Sequence, residues 1–269
     1  MNKILLFIPM YNCEKQIVKT LSQIDHEVVK YISEIIVVDN QSPDNSVQMV
    51  TDYLRTGYIY GSICPIYLLR NRSNYSLGGS HKVAFEYAIS KKFDHVIVLH
   101  GDNQGDIHDI IPYLKKQKIL QLDSFLGSRF ERASRLVNYS KFRIFGNHCF
   151  NILICGLLRR HISDLGSGLN MYKVSYLKEK FYMNFPNNLT FNVYMLVYGV
   201  YCKSDFRFFP LSWKEEDQVS NAKVMKQSVE IMQLVFGYLV NPKKIFNDTG
   251  NKYSNIIYEY DELANSMGE

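Results

Sequence analysis

The chain alternates short apolar runs with stretches of helical periodicity. Candidate strands are Ile4–Ile8, Ile35–Asp39, Ile66–Leu69, His95–Leu99 and Phe125–Gly127. Helical patterns lie between them, over about Glu14–Tyr31, Asp44–Arg55, Gly79–Lys91 and Ile107–Lys116. Strands alternating with helices predict right-handed βαβ units, hence an α/β fold with a mostly parallel sheet and helices on both faces. Ile35–Val38 and Val96–Leu99 are apolar without interruption, as strands covered on both faces should be.

The second half is less regular. Phe142–Leu158 reads as an apolar helix followed by Arg159, Arg160 and His161, and Asp164–Met171 as a glycine-containing loop. Leu189–Tyr201 reads as a helix, Phe206–Phe209 as a strand, and Lys223–Val240 as a second apolar helix stopped by Asn241-Pro242. The last eleven residues, Glu259–Glu269, carry four acids and no Lys or Arg, and are expected to fray.

Composition narrows this picture. A length of 269 residues suits one large α/β domain, alone or with a small appendage. The net charge of +5 suits an anionic ligand such as a pyrophosphate, or an anionic membrane surface. It is too weak and too scattered to point to nucleic acid. The 20 Tyr and 16 Phe hint at contact with sugars or lipids. Five cysteines with no CxxC pair imply a reduced, cytoplasmic setting, without a zinc site or disulfide framework. Ile4–Ile8 is shorter than the roughly 7–15 apolar residues of a signal peptide. No run reaches the roughly 20 of a transmembrane helix, so the expectation is a soluble or peripheral protein.

In open α/β sheets ligands bind beyond the carboxyl ends of the strands. The segment His95–Asp106 places Asp102, Gln104 and Asp106 there. Asp102, directly after the strand, fits a divalent cation bridging two phosphates, and Asp106 fits the cap of the following helix. Asp39 ends another strand and can accept from a base N–H or a ribose hydroxyl. Gly78-Gly79 before a helix permits close backbone approach to an anion. Arg129 follows the fifth strand and can grip phosphate in a bidentate way.

These segments resemble the family 2 glycosyltransferases with their GT-A-type fold, over about Lys3–Lys226, and within them the dolichyl-phosphate mannose synthase-like branch. The resemblance rests on Ile8-Pro9-Met10-Tyr11-Asn12-Cys13-Glu14, Val37–Ser42, Asn71 with Gly78-Gly79-Ser80, His100–Gln104, Gly127-Ser128-Arg129 and Asp164–Gly168. It implies a nucleotide-sugar site made of Pro9, Tyr11, Asn12, Glu14, Asp39, Asn71, Gly78, Gly79, Asp102 and Arg129. It also implies Mg²⁺ or Mn²⁺ held by Asp102 and Gln104, with Asp164 and Glu216 as catalytic candidates. Two departures stand out: Asn40 and His100 occupy positions where the family usually carries acids.

The activity so implied is inverting transfer from a nucleotide-diphosphate sugar to a saccharide or polyprenyl-phosphate acceptor, in cell-surface glycan biosynthesis. A saccharide hydroxyl needs a general base, from Asp164, Glu215, Glu216 or Asp217, whereas a lipid phosphate is already anionic and could be met by Arg143. A catalytically inactive nucleotide-sugar-binding protein of the same fold is the alternative that Asn40 and His100 leave open. Residues 1–225 would form the GT-A-type domain and 226–269 an apolar helix with a flexible acidic tail. The two apolar helices, each beside basic residues, suit either peripheral contact with anionic lipid at the inner face of the membrane or packing against the sheet.

Overall fold

The computed structural model describes residues 2–56, 58–215, 221–247, 253 and 256–267. The strands are β1 (Ile4–Met10), β2 (Glu34–Asp39), β3 (Ile66–Asn71), β4 (His95–Leu99), β5 (Ser124–Ser128), β6 (Arg135–Val137), β7 (Leu169–Lys173), β8 (Phe206–Pro210), β9 (Ser212–Lys214) and β10 (Tyr260–Asn265). Among the described residues, eight of them make one sheet in the order β10-β3-β2-β1-β4-β7-β5-β8, and β6 pairs with β9 apart from it. β3, β2, β1 and β4 run parallel, as do β5 and β8. β7 runs antiparallel between β4 and β5.

The helices are α1 (Ile17–Ser22), α2 (Ser46–Thr56), α3 (Ser76–Ser90), α4 (Ile111–Lys115), α5 (Lys141–Leu158), α6 (Val174–Leu177), α7 (Phe191–Tyr201), α8 (Asn221–Val240) and α9 (Pro242–Asn247). They cover both faces of the sheet, and β1 shows why its sequence is apolar throughout. Ile4, Leu6, Ile8 and Met10 join one core with Ile17, Leu21, Val50 and Leu114. Leu5 and Phe7 join the other with Phe85, Phe191, Leu196 and Leu234. The two-residue period of a strand sends alternate side chains to opposite layers. Each such fully buried side chain contributes about 1.5–3 kcal/mol.

Several expected elements come out differently. The helix expected over Glu14–Tyr31 is only the six residues of α1 plus a 3-10 turn at Val28–Lys30. Asp25 breaks it, because its side chain accepts the N–H groups of Glu27 and Val28 and so competes with the helical bonds. α3 starts at Ser76, so Gly78 and Gly79 lie in its first turn rather than ahead of it. The helix expected over Ile107–Lys116 splits into a 3-10 turn, Ile107–Asp109, and the short α4. Asp106 caps that turn by accepting from His108 N.

Two differences are larger. Part of the loop expected over Asp164–Met171 is the start of β7, a central strand. Its Leu-Asn-Met-Tyr-Lys run is too short and too mixed to announce itself. The tail expected to fray supplies β10, which adds antiparallel to the edge of β3. Ser266 exchanges two hydrogen bonds with the Ile66 backbone, and Arg72 pairs with Asp261 and Glu259. The acids that suggested disorder are partners for a basic residue about 190 positions away in sequence.

Candidate active site

The carboxyl ends of β1, β2, β3 and β4 meet along one rim. Met10 lies beside Asp39, Asp39 beside Arg70, and Gly101 N donates to Pro9 O at 3.1 Å. A Cβ on Gly101 would lie 3.0 Å from that carbonyl oxygen, so glycine lets the β4 loop lie against the end of β1 without crowding it. Four of the rim turns pass through a left-handed residue: Asn12 at φ 55°, Gln41 at 64°, Ser76 at 57° and Asn103 at 57°. Such conformations in residues other than glycine concentrate at ligand sites, where the surrounding structure enforces them. The rim encloses an open cleft of about 610 Å³.

Among the sequence candidates, Pro9, Tyr11, Asn12 and Asp102 line this cleft, with His100 and Asn40 beside them. Asp102 offers it a carboxylate of which one oxygen accepts Gln104 N at 3.2 Å. Gln104 is buried behind, its carbonyl accepting from Lys214 N of β9. Asp39 and Asn71 are fully buried at the back of the rim. Asp39 accepts Ser42 N and pairs with Arg70 Nε at 3.3 Å. Asn71 donates to Asn40 Oδ1 at 2.9 Å and to Ser80 Oγ at 3.0 Å. Glu14 faces α2, where its carboxylate accepts Asn45 N while Glu14 N donates to Asp44.

Gly78 and Gly79 pack rather than bend. A Cβ on Gly78 would lie 2.7 Å from Pro186 O and 2.8 Å from Phe191 Cβ, and one on Gly79 would lie 2.3 Å from Tyr75 Cβ. Gly78 N donates to Asn187 O at 2.7 Å, so that donor is already committed to the protein.

Asn40 explains how a neutral residue serves where an acid is usual. Its Oδ1 accepts from Asn71 and from Tyr75 N at 2.8 Å, and its Nδ2 donates to Asn74 Oδ1 at 2.8 Å. An amide, unlike a carboxylate, both donates and accepts, so Asn40 ties the end of β2 to the 71–76 turn. His100 stands where the metal motif usually has its first acid. Burial holds its imidazole below the ordinary pKa, against the opposing pull of Asp102, so the ring is neutral. It stacks edge-on at 6.2 Å from His81, which burial pushes down to about 3.

On the far side of the rim, Arg129 and Asp164 form a bidentate pair. Arg129 Nε and Nη2 donate to the two carboxylate oxygens at 2.8 Å each, and Arg129 N adds a third bond at 3.0 Å. Gly166 N supplies a fourth at 3.1 Å. The guanidinium lies 5.3 Å over Trp213 and 5.4 Å over Phe130. Burial alone would raise the Asp164 pKa, but the charge and hydrogen bonds of Arg129 outweigh it and hold it below the usual carboxylate range. Arg143 Nη1 alone donates to both carboxylate oxygens of Glu215 at 2.7 Å. Glu216 and Asp217 lie outside the described residues.

Sequence reasoning did not single out Asn74, Ser76, Leu77, Asn188 and Leu189, which also line the cleft. Asn188 and Leu189 come from a turn before α7 and reach the rim only through tertiary packing. The turn is anchored by Lys82, a fully buried lysine of α3. Its ammonium donates to Phe185 O at 2.6 Å, Asn187 Oδ1 at 2.8 Å and Met183 O at 3.1 Å. Asn187-Asn188 directly after Pro186 and an aromatic run is the available signal, and it is a weak one.

Among the described residues, no three His, Cys, Asp or Glu side chains stand close enough to hold a metal ion by themselves. A hard divalent cation can instead be held by one or two carboxylate oxygens together with substrate phosphates, and Asp102 in an open cleft fits that donor set.

This geometry has counterparts of known structure. Glucosyl-3-phosphoglycerate synthase of Mycobacterium tuberculosis, solved with UDP, superposes with a TM-score of 0.60 at 12% identity, over 90% of this chain and 81% of its own. The same enzyme has also been solved with Mn²⁺, UDP and its product. TarS of Staphylococcus aureus, residues 1–349, superposes with a TM-score of 0.54 at 16% identity, over 87% and 64% of the two chains. The architecture is therefore the GT-A glycosyltransferase fold. Residues 6–181 match glycosyl transferase family 2, and the chain belongs to that family. Two uncharacterized proteins of Methanocaldococcus jannaschii are also similar. One is 30% identical over 123 residues, 45% of this chain and 50% of its own. The other is 25% identical over 178 residues, 66% and 68% of the two chains. The chain thus matches half the length of the first of these relatives.

Proposed function

We propose that the protein is an inverting glycosyltransferase whose cleft seats a nucleotide-diphosphate sugar. One observation carries this reading above the rest: an open cleft at the carboxyl rim of the sheet presents the Asp102 carboxylate among Pro9, Tyr11, Asn12 and Asn40. Tyr11, half-exposed at the mouth, offers a flat face to the base. Asp39 stiffens the β2 end through Ser42 and Arg70, which in turn holds Gln41 Oε1 at 3.2 Å. Asp102 is the residue that would hold Mg²⁺ or Mn²⁺, while Gln104, expected beside it, is buried behind the cleft. When bound, the cation neutralises charge on the departing diphosphate.

Arg129 serves the phosphates by exchanging partners. A diphosphate carries more negative charge than Asp164 and accepts a guanidinium fork equally well. Its arrival draws Arg129 off the carboxylate and leaves burial to raise the Asp164 pKa, so that it can take the proton of a saccharide hydroxyl. A polyprenyl-phosphate acceptor, as in the dolichyl-phosphate mannose synthase-like branch, attacks without that proton transfer. Attack opposite the leaving diphosphate inverts the anomeric carbon in either case.

The test is a screen of UDP- and GDP-sugars with Mn²⁺ or Mg²⁺ against free saccharides and polyprenyl phosphate. Transfer that is lost in Asp102→Ala supports the reading. Failure of both UDP and GDP to bind calorimetrically, with either cation, rejects it in favour of a different ligand. Nucleotide binding without transfer to any acceptor points to the inactive binding protein.

A further inference from the structure

Helix α5 leaves an apolar stripe uncovered along its whole length. Its inner side turns Ile154 and Leu158 into the core shared with Ile231, Leu234 and Val235 of α8. Its outer side shows Phe142, Phe145, Cys149, Ile152 and Leu153 to solvent, with Phe142 at 84% and Ile152 at 71% exposure. Gly146 and Gly156 continue the stripe, and a Cβ built on either would touch nothing within 4 Å. The spacing from Phe142 to Gly156 follows the helical repeat and runs about 21 Å at 1.5 Å per residue. The adjoining α8 likewise exposes Val229, Phe236 and Val240, beside a shallow apolar hollow of about 500 Å³.

Charge identifies the occupant. Residues 141–160 contain Lys141, Arg143, Arg159 and Arg160 and no acid. Residues 226–244 contain Lys226, Lys243 and Lys244 against one acid, Glu230, whose carboxylate faces Asn188 at 3.2 Å. Lys141 stands exposed at one end of the stripe and Arg159 and Arg160 at the other. A second copy of this chain laid against the stripe would bring basic ends onto basic ends, whether the helices ran parallel or antiparallel. An apolar helix face with cationic ends and no acid is instead complementary to a surface with hydrocarbon below and anionic headgroups around it. Among the described residues no helix is long and apolar enough to cross a membrane, so contact along the helix is the geometry left to it.

We infer that the outer face of α5, extended by α8, docks in plane on an anionic lipid bilayer. This stands apart from the transfer reaction, because it concerns a surface outside the cleft and is read without activity. The full chain is sedimented with vesicles of phosphatidylcholine alone, and of phosphatidylcholine with phosphatidylglycerol. The chain is expected in the pellet with the anionic vesicles and to be released by salt. Each exposed Lys or Arg facing anionic lipid is worth roughly a fivefold change in partition. Lys141→Glu with Arg159→Glu should therefore lower binding by well over tenfold. Phe142→Ser with Phe145→Ser and Ile152→Ser should abolish it while the thermal melt, taken alongside, stays in place. No pelleting with anionic vesicles overturns the inference, as does pelleting that the serine substitutions leave unchanged. A solution dimer that the same serine substitutions dissociate also overturns it, in favour of self-association.

Discussion

Two stretches of the sheet's carboxyl rim, the one that lines the cleft and the one beyond it, are held in position by different chemistry. On the β1–β4 side the layer next to the cleft is a lattice of uncharged amides, with Asn40, Asn71 and Asn74 joined to Ser80 and the Tyr75 backbone, and the Asp39–Arg70 pair lies behind it. On the β5–β7 side the rim is one ion pair, Arg129 with Asp164, closed over by Trp213. An amide lattice has no net charge to lose, so it keeps its shape whatever enters the cleft. An ion pair is exchangeable, because an incoming anion can take the arginine. The first arrangement suits a surface that must recognise a fixed shape, and the second suits groups that must answer a change in charge.

The largest effect is expected from breaking the ion pair. Asp164→Ala leaves a mostly buried guanidinium without its counter-charge, at a cost of about 3–5 kcal/mol. A urea melt should show it, and a change below 1 kcal/mol would mean that Arg129 finds another partner without strain. Asp102→Ala comes next: transfer should fall by about 10²–10³-fold, equivalent to roughly 3–4 kcal/mol, with the urea midpoint unmoved. Mn²⁺-dependent UDP affinity measured by calorimetry separates this from a folding defect. Asn40→Asp removes the donor to Asn74 and buries a charge next to Asp39. It should cost about 1–3 kcal/mol, read as a lower midpoint at unchanged slope.

The smallest effect comes from Lys82, a titratable group that anchors the turn carrying Asn188 to the amide side. Burial pushes Lys82 down to about 7 from an ordinary 10.5. Between those values the unfolded chain binds the proton more tightly, so stability rises with pH through that window and is lost as pH falls towards 7. The slope is at most about 1.4 kcal/mol per pH unit. Tyr258, which donates to the same Asn187 Oδ1 and is raised by burial, titrates above the window. Stability measured from pH 7 to 9 should climb in the wild type and lie flat in Lys82→Met. A flat wild-type profile would show that the carbonyls around Nζ keep the ammonium charged throughout.

The sequence by itself determined the layers and the rim. Uninterrupted apolar runs at Ile35–Val38 and Val96–Leu99 require cover on both faces, and alternation with helices makes the connections parallel. An acid placed directly after such a run, as Asp39 and Asp102 are, must sit at the carboxyl edge of the sheet whatever the rest of the chain does. These are local facts, because a strand's direction and its end are written in contiguous residues.

Tertiary structure decided the rest. Nothing near Leu169–Lys173 says that it enters the sheet between β4 and β5, since its partners lie some 44–78 residues before it. The acidic tail is a strand only because β3 leaves an edge and Arg72 a charge for it to meet. The distinction between the acid that faces the cleft, Asp102, and the acid sealed behind it, Asp39, depends on which neighbours reach each carboxylate first. Those neighbours come from other strands and loops, and a linear pattern holds no record of distances across the sheet.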